Sequence, residues 1–546
     1  MPEAATDQDS DASDDEVMCD PGHLPRRILL SKVLNNDVDI DQSEIEFNPP
    51  STSTGRGSKR RKKVVYMWHT DKSKVANLVP DFSETREVVD APKTNPLEFF
   101  EERFWTEDWI NVLCEQSKNY AHQKGIPCSD VNADNMKLFL AILILSGYNK
   151  VPNRRLYWSE SPDTQNKLVM NSMRRDTFDQ IMRCLHINDN MKMDGDRFYK
   201  VRPLFEHLNN SNKDEKCGEY YSIDEIMVPY YGRHGDKQYI RGKPVRFGFK
   251  LWAICTSDGF LHNVEPYCGS HTRISDRGFG LGGNVVLEMI ERVNIKPGQH
   301  IVFDNFFGSV ALLKELSQKK IAATCTLRED RLSGAPLRPR KVLEKEERGT
   351  SDEAFTSCIS VVKWKDNKVV SVASNKLRSD PAKKAKRWNR VDKKHVEVDL
   401  PHSIHVYNQH MGGVDVFDQQ VAAYRCRIRS KKWWWPLFAW TVNAQVVNGW
   451  KLFREHEKKI TLLEFSRQLV ISTLTKYGKP KAKPGPVPMP VVNTVRYNSQ
   501  HHWTYKGKSP YNRCRECGSR TIYFCSVCNI PVHPECMKTF HTKKET

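Results

Sequence analysis

The sequence predicts a mixed α/β protein of several units, because its hydrophobic period changes twice and its last part is rich in cysteine. From Asn95 to about Cys217, apolar residues recur at three- and four-residue steps, which indicates amphipathic helices. Between Glu219 and Phe307 the apolar segments are rich in β-branched and aromatic residues, which indicates strands. Helical periodicity resumes after Gly413. A chain of 546 residues is too long for one core, so three or four units are expected.

Composition and period divide the chain into eight predicted segments. In order, they are an acidic then basic disordered region (1–94), a helical part (95–218), an α/β part (219–330), a basic insertion (331–398), a second α/β part (399–422), a second helical part (423–478), a Pro-rich linker (479–499) and a Cys/His module (500–546). The first twenty residues carry eight acids and neither Lys nor Arg, too little apolar surface to offset the cost of ordering. Within the insertion, one strand-like piece runs from Cys358 to Ser374.

The bulk properties favour an intracellular protein with a polyanionic partner. The net charge is +18, for which nucleic acid is the first candidate partner and a merely basic soluble protein the alternative. The longest apolar run, Leu138–Tyr148, is about half of what a bilayer requires and predicts a buried helix, not a membrane span. No signal peptide is evident. A run of five basic residues reads as a nuclear import signal or as a solvated charge run: Lys59, Arg60, Arg61, Lys62 and Lys63.

Four aspartates are candidates for a metal site. Asp224 lies inside a strand-like run, Asp304 follows a short apolar strand, and Asp415 and Asp418 lie three residues apart at the start of a helix. Carboxylates that converge repel each other unless a cation neutralises them. Mg²⁺ prefers hard oxygen ligands, and two such ions about 3.5–4 Å apart would activate a nucleophile and stabilise the leaving oxygen at a phosphate.

Each aspartate also has an ordinary structural explanation. Asp at a strand end often forms a turn, and Asp after Gly often caps a helix. No short spacing links the aspartates, so the residues alone make only a suggestive set.

Two basic and aromatic clusters are candidates for contact with DNA, since cations bind phosphates and aromatic rings stack on unpaired bases. The first comprises Arg233, Lys237, Arg241, Lys243, Arg246 and Lys250. The second comprises Arg425, Arg427, Arg429, Lys431 and Lys432, followed by Trp433, Trp434 and Trp435. The charges could equally form a solvated face, and the tryptophans could equally belong to the core.

The C-terminal module has the spacing of a zinc-binding domain. Seven candidate ligands are Cys514, Cys517, Cys525, Cys528, His533, Cys536 and His541. Tetrahedral Zn²⁺ takes four ligands, so seven is one short of two closed sites. His502 is the candidate eighth ligand, and His501 is its rival. Two structural zinc ions are therefore predicted, in a finger that binds either DNA or a peptide.

Several blocks, taken in order, resemble the piggyBac transposase family. They include "YYSIDEIMVPYYGRHGDKQYIRGKPVRFGFKLW", "IVFDNFFGSVALLKEL" and "YNQHMGGVDVFDQ", with "LSGYNKVPNRRLYWS" and "MRRDTFDQIMRCLHINDN" upstream and the Cys/His module at the end. The resemblance runs from about Asn95 to the C-terminus.

The resemblance implies an RNase H-like catalytic core with the insertion, flanked by a split helical DNA-binding and dimerisation domain, and a small cross-brace zinc finger. Asp224, Asp304 and Asp415 match the family's three catalytic, Mg²⁺-binding aspartates, and Asp418 matches a further important acid. Trp435, which precedes Pro436, matches a Trp that handles a flipped flanking base.

Two functions follow as hypotheses from the resemblance. The first is a nuclear, Mg²⁺-dependent cut-and-paste transposase that acts as a homodimer on double-stranded transposon ends, forms hairpin ends by 3′-OH attack and inserts at TTAA sites. The second is a domesticated DNA- or chromatin-binding protein that no longer transposes. The presence of all four acids favours the first without proving it.

Overall fold

The computed structural model describes residues 66–71, 73, 79–83, 95–213, 218–240, 245–389, 393–479, 496–497, 501–507 and 512–542. The chain divides into two compact units, Met1–Lys479 and Pro480–Thr546. Among the described residues, no helix is long and apolar enough to cross a membrane.

The first unit begins with a layer of helices. They are α1 (Pro96–Arg103), α2 (Glu107–Lys124), α3 (Ala133–Tyr148), α4 (Lys167–Ser172), α5 (Arg175–Cys184) and α6 (Arg202–Ser211). The side chains of Asn95, Thr106 and Asn132 accept hydrogen bonds from the first turns of α1, α2 and α3, and these N-caps fix where the helices begin. Helix α3 contains the apolar run Leu138–Tyr148 and is buried along most of its length, which confirms the predicted buried helix.

The helices that follow the α/β part return to the same core. They are α10 (His402–His410), α11 (Gly413–Ala423), α12 (Trp435–His456) and α13 (Leu462–Tyr477). One hydrophobic cluster joins side chains of α1–α6 with those of α11–α13, for example Phe205 with Trp440. The two helical segments, separated by about 220 residues of sequence, therefore form one layer in space.

A nine-stranded mixed sheet forms the second layer. Its strands are β1 (Tyr220–Pro229), β2 (Gln238–Tyr239), β3 (Phe247–Thr256), β4 (Leu261–Pro266), β5 (His300–Phe303), β6 (Ala322–Thr326), β7 (Ser351–Phe355), β8 (Ser360–Lys365) and β9 (Val369–Ser374). The order is β2-β3-β1-β5-β6-β9-β8-β7, and β4 pairs with β3. Strands β1, β5 and β6 run parallel, and their crossovers contain α7 (Gly280–Val293) and α8 (Val310–Gln318).

Strand β4 lies at an edge of the sheet, and two asparagines cap its backbone. Asn209 of α6 donates to the Val264 carbonyl at 3.0 Å and accepts from the Val264 N–H at 2.9 Å. Asn448 of α12 makes the same pair of bonds with Leu261, at 2.7 and 3.1 Å. Each helical segment thus holds the sheet by an amide that replaces a missing neighbouring strand.

The segment 331–398 is more structured than the single predicted strand-like piece. After the short helix α9 (Arg340–Leu343), strands β7, β8 and β9 extend the central sheet, because β9 pairs antiparallel with β6. Strands β10 (Lys383–Asn389) and β11 (Lys394–Leu400) form a separate two-stranded ribbon. Three strands of this segment are therefore part of the central sheet.

The prediction that folded structure starts at Asn95 is wrong for two short stretches before it. The backbone of His69 exchanges two hydrogen bonds of 2.8 Å with Phe355, so it lies along β7 at the edge of the sheet. Val79 is only 1% exposed, and the backbone at Asp81 packs closely on Gly298. Pairing of a short stretch with a distant sheet edge leaves no local pattern in the sequence.

The described residues of the second unit form four short strands and one helix. They are β12 (Thr504–Lys506), β13 (Asn512–Arg513), β14 (Arg520–Thr521), β15 (Tyr523–Cys525) and α14 (Met537–His541). Its apolar core consists of a few side chains, among them Ile530, Val532 and Phe540, packed around buried cysteines. So small a core needs another source of stability.

Candidate functional site

Asp224 and Asp304 lie on neighbouring parallel strands at the same level. The last paired residues of β1 and β5 are Ile223 and Phe303, and each aspartate is the next residue in its chain. Asp224 is 9% exposed and Asp304 is half-buried. The sheet therefore brings together two carboxylates that are 80 residues apart in sequence.

The loop that follows Asp304 is held from within and from outside. The Phe306 N–H donates to Asp304 Oδ1 at 2.8 Å, and the Gly308 N–H donates to the Asp304 carbonyl at 3.2 Å. Arg331 Nη1 donates to the carbonyls of Asn305, Phe306 and Gly308 at 2.9, 3.0 and 3.1 Å. Three bonds from one guanidinium nitrogen fix the backbone that carries the carboxylate, a role for Arg331 that the sequence did not suggest.

The start of α11 docks directly on the sheet beside Asp224. The Val414 N–H donates to Ser222 Oγ at 3.1 Å, and Ser222 lies two residues before Asp224 on β1. Gly413 approaches so closely that an added Cβ would lie 2.3 Å from the Thr256 carbonyl oxygen and 2.6 Å from Ser222 Oγ. The second glycine of the Gly-Gly pair is therefore required by this contact.

Asp415 lies in the first turn of α11 and is exposed, whereas Asp418, one turn later, is half-buried. The N-cap residue of the helix is Gly412, which has no side chain, so neither aspartate occupies the capping position. Asp415, in the first turn, still lies where an acid interacts favourably with a helix N-terminus.

Neighbouring titratable groups register the proximity of Asp224 to Asp418 and to Asp304. Burial raises the pKa of Cys255, and the charges of Asp418 and Asp224 raise it further, so both carboxylates lie near this thiol. Burial likewise raises the pKa of Tyr407, whose hydroxyl bonds to Thr326 and lies near Asp304 and Asp224. Tyr407 of α10 is only 6% exposed and was not predicted as a site residue.

The carboxylates are less tightly grouped than the cysteines and histidines. Among the residues that the structure describes, the groups of three or more whose ligand atoms all lie within 4.8 Å of one another consist of Cys and His. Carboxylates offer only hard oxygen donors, which suit Mg²⁺ by their chemistry.

Two Cys/His clusters lie in the second unit, each with four ligand atoms. One consists of Cys514, Cys517, His533 and Cys536, and the other of His502, Cys525, Cys528 and His541. The pairs alternate along the chain, which is a cross-braced arrangement. The structure brings His502, and not His501, into the second cluster, with Nδ1 3.1 Å from Cys525 Sγ and 3.6 Å from Cys528 Sγ. Two thiolate-rich sets of four match the ligand number and type of structural Zn²⁺.

The first basic cluster is partly exposed. Arg233 and Arg246 are exposed, while Arg241 and Lys243 lie outside the described residues. Lys250, predicted to contact DNA, has its ammonium 3.9 Å from the ring centre of Trp252 and 5.1 Å from that of Phe306. Its charge is thus also used in packing beside the Asp304 loop.

The second cluster divides into surface and structural residues. Arg429 and Lys431 are exposed, and Arg425 and Arg427 are half-buried. Lys432 Nζ donates to three carbonyls at the end of α5, those of Met182, Arg183 and Leu185, at 2.9–3.0 Å. Lys432 therefore caps a helix C-terminus in this structure.

The structure places Trp435 in the core and not on a DNA-facing surface. Trp435 is 3% exposed, and its indole N–H donates to the Ile428 carbonyl at 2.8 Å. Trp434 is 2% exposed. Of the alternatives left open by the sequence, the core position is the one observed.

Known proteins are similar to this chain over most of its length. A family model described as Transposase IS4 matches residues 95–450. The human "PiggyBac transposable element-derived protein 3" is 35% identical over 573 aligned residues, covering 99% of this chain and 95% of the relative. The protein belongs to the piggyBac transposase family. Human "PiggyBac transposable element-derived protein 2" is 33% identical, covering 98% of this chain and 91% of the relative.

A solved piggyBac structure has the same fold. The cryo-EM structure titled piggyBac transposase synaptic complex with hairpin DNA matches with a TM-score of 0.61 at 22% identity, covering 81% of this chain and 98% of that chain. The predicted mixed α/β class is thereby confirmed, and the piggyBac resemblance of the sequence is confirmed by the family match.

Proposed function

We propose that the protein is a metal-dependent DNA transposase of the cut-and-paste type, which cleaves transposon ends and joins them at TTAA sites. The observation that supports this most strongly is the register of β1 and β5, in which Asp224 and Asp304 are adjacent, with the N-terminus of α11 docked beside them. Asp224 and Asp304 lie at one end of a parallel strand pair, and the proposal is that α11 adds Asp415 and Asp418 to them. A structural role for any one acid would not explain such a set.

In this proposal the sheet is an RNase H-like core, and Asp224, Asp304 and Asp415 are the ligands of two Mg²⁺ ions. When bound, the ions neutralise charge at the scissile phosphate and lower the pKa of a water or 3′-OH nucleophile. Asp224 supplies a carboxylate fixed within the sheet, and Asp304 supplies one fixed by its clamped loop. Asp415 is exposed and so is open to DNA, while half-buried Asp418 adjusts the start of α11 from behind.

DNA is the proposed substrate because the net charge is +18 and exposed cations lie on the same chain as the acids. The solved relative of the same fold is described in complex with hairpin DNA. The exposed candidates for phosphate contacts are Arg233, Arg246, Arg429 and Lys431. A homodimer is part of the proposal, because joining both ends of one element requires that they be held together.

The C-terminal finger is proposed to bind two structural Zn²⁺ ions and to contact the transposon end. Its described residues carry six Lys or Arg and two Glu, a balance that favours DNA over an acidic or neutral peptide. A nuclear location is also proposed, from the basic run 59–63, which lies outside the described residues.

The second candidate is a domesticated protein that binds DNA without transposing, which the "transposable element-derived" names of the human relatives favour. The deciding experiment uses the purified full chain and labelled duplexes that carry the inverted repeats flanking its gene, with TTAA or a scrambled tetranucleotide beside them. Mg²⁺-dependent nicks and hairpins on the TTAA substrate alone would support the transposase. Binding of the ends with no cleavage in Mg²⁺ or Mn²⁺ would support the domesticated protein.

A further inference from the structure

We propose that Tyr239 and Phe247 form a stacking surface for unpaired bases of the DNA end, an inference that rests on the proposed action on DNA. The two residues face each other across β2 and β3, and their ring centroids are 4.8 Å apart. Tyr239 is 55% exposed and Phe247 is 40% exposed. Large aromatic side chains kept on a surface at this exposure have no role in the core, so they mark a surface for interaction.

The surface has a rigid base. On the neighbouring part of the sheet, the rings of Tyr230 and Phe249 stack at 4.9 Å. Trp433 packs 4.2 Å from the His234 ring and 5.8 Å from that of Phe249. The turn after the basic second cluster therefore supports the segment that carries the exposed rings, and the rings can meet a ligand with little loss of freedom.

The charge around the rings selects nucleic acid over an apolar partner. Lys237 donates from Nζ to the Gly232 carbonyl at 2.8 Å, with the ammonium 5.8 Å from the Phe247 ring centre. Arg233, six residues before Tyr239, and Arg246, directly before Phe247, are also exposed. Aromatic faces among cations are the combination that binds single strands, with phosphates on the cations and bases on the rings. A duplex hides its base faces within its own stack, so the ligand must be an unpaired stretch.

The position along the sheet relates this surface to the candidate catalytic acids. Asp224 pairs with Ala253 on β3, and Phe247 lies six residues before Ala253 on the same strand. At about 3.3 Å per residue, the surface lies roughly 20 Å from the acid, which is about six nucleotides of a stacked strand. An end that opens near its cleavage site would present unpaired bases at this range.

The burial of Trp435 leaves the base contact expected of it without an exposed ring. Trp435 was predicted to meet a flipped base, but it is 3% exposed and its N–H is engaged by Ile428. Among the described residues of the first and second basic clusters, Tyr231, Tyr239 and Phe247 are the aromatic side chains exposed by 40% or more. Tyr239 and Phe247 alone of these pack against one another to make a continuous face.

The test is a comparison of two DNA probes by fluorescence anisotropy, with the zinc-loaded full chain in buffer without added Mg²⁺. One probe is a blunt duplex, and the other has the same sequence with its last four base pairs mismatched so that they stay open. The double variant Tyr239→Ala, Phe247→Ala should lose roughly 5- to 150-fold in affinity for the open probe for each base that stacks. Its affinity for the blunt duplex should remain within about twofold, which also shows that the variant is folded.

A matched control separates the ring from its hydroxyl. Tyr239→Phe keeps the aromatic face, so it should retain the wild-type preference for the open probe. An equal loss of affinity for both probes, or no loss for the open one, would overturn the stacking assignment. Binding is measured without Mg²⁺, so it does not depend on cleavage. Absence of cleavage by the wild type would count against the proposed transposase but would leave the comparison of the two probes unaffected.

Discussion

The Gly413→Ala substitution tests the proposal that the docking of α11 on the sheet brings Asp415 to Asp224 and Asp304. An added Cβ would lie 2.3 Å from the backbone carbonyl oxygen of Thr256, where contacts under about 3.0 Å essentially do not occur. The carbonyl belongs to the sheet and cannot rotate away, so the start of α11 must move by roughly 0.7–1 Å. Gly412, the preceding residue, has nothing within 4 Å of its added Cβ and a φ of −83°, so Gly412→Ala is the matched control.

The displacement sets the expected magnitudes. Overpacking of this kind costs about 1–3 kcal/mol of folding free energy. A misplacement of about 1 Å at a reacting centre costs on the order of 10²-fold in rate. We therefore expect Gly413→Ala to slow cleavage about 100-fold while the protein remains folded, and Gly412→Ala to destabilise by less than about 1 kcal/mol and cleave normally.

Thermal unfolding and single-turnover cleavage of a matched transposon end would be measured for both variants. The contrast between adjacent glycines is the decisive feature, since both substitutions add one methyl group and only the one at Gly413 meets the sheet. If Gly413→Ala cleaved as fast as Gly412→Ala, the reasoning that the α11–sheet contact positions Asp415 would be refuted.

Three further predictions concern other parts of the chain. Chelation of zinc should unfold the C-terminal unit. His502→Ala should lower the amount of zinc bound by the full chain, as measured by atomic absorption, whereas His501→Ala should not. Equal zinc content in the two variants would disprove the assignment of His502 as a ligand. Burial lowers the pKa of His207 to about 4, so folding favours its neutral form. The contribution of His207 to the free energy of unfolding should be fully present above pH 6.5 and fall by up to about 3 kcal/mol as the pH drops toward 4. Denaturant titrations should find a smaller dependence on pH in His207→Gln, and an unchanged dependence would contradict this. Arg331→Ala should free the Asp304 loop and raise several-fold the Mg²⁺ concentration needed for half-maximal cleavage. DNA binding without added Mg²⁺ should be unchanged. If the Mg²⁺ concentration needed stayed the same, the role of Arg331 in holding the loop would be contradicted.

Parts of the fold could be predicted because their signals are local. Helix α3 follows from a continuous apolar run between an Asn cap and a polar turn. The position of Asp304 after a short apolar strand is likewise visible in the sequence. The eight residues of the two Cys/His clusters follow from CxxC spacing and from counting, although the choice of His502 over His501 needed the fold of the second unit.

The remainder depends on contacts between distant segments. Pairing of β9 with β6 makes segment 331–398 part of the central sheet, and no local pattern encodes which strand is the neighbour. The bridge between His69 and Phe355 is of the same kind. The aromatic residue type is compatible with both a core and a surface, so Trp435 could be assigned only once its partner Ile428 was known. The role of Arg331 could not be predicted, because its hydrogen-bond acceptors are backbone carbonyls, which any sequence supplies.

The central claim is that Asp224, Asp304 and Asp415 together form a catalytic metal site, and Asp304→Asn tests it most directly. Asn is nearly the same size as Asp, so the substitution removes a charged metal ligand while it largely spares packing. Mg²⁺-dependent cleavage of a matched transposon end and DNA binding without added Mg²⁺ would be measured side by side on the same zinc-loaded preparation. The account predicts that cleavage falls by several powers of ten while binding and the unfolding temperature are kept. Cleavage by Asp304→Asn at the wild-type rate would contradict it.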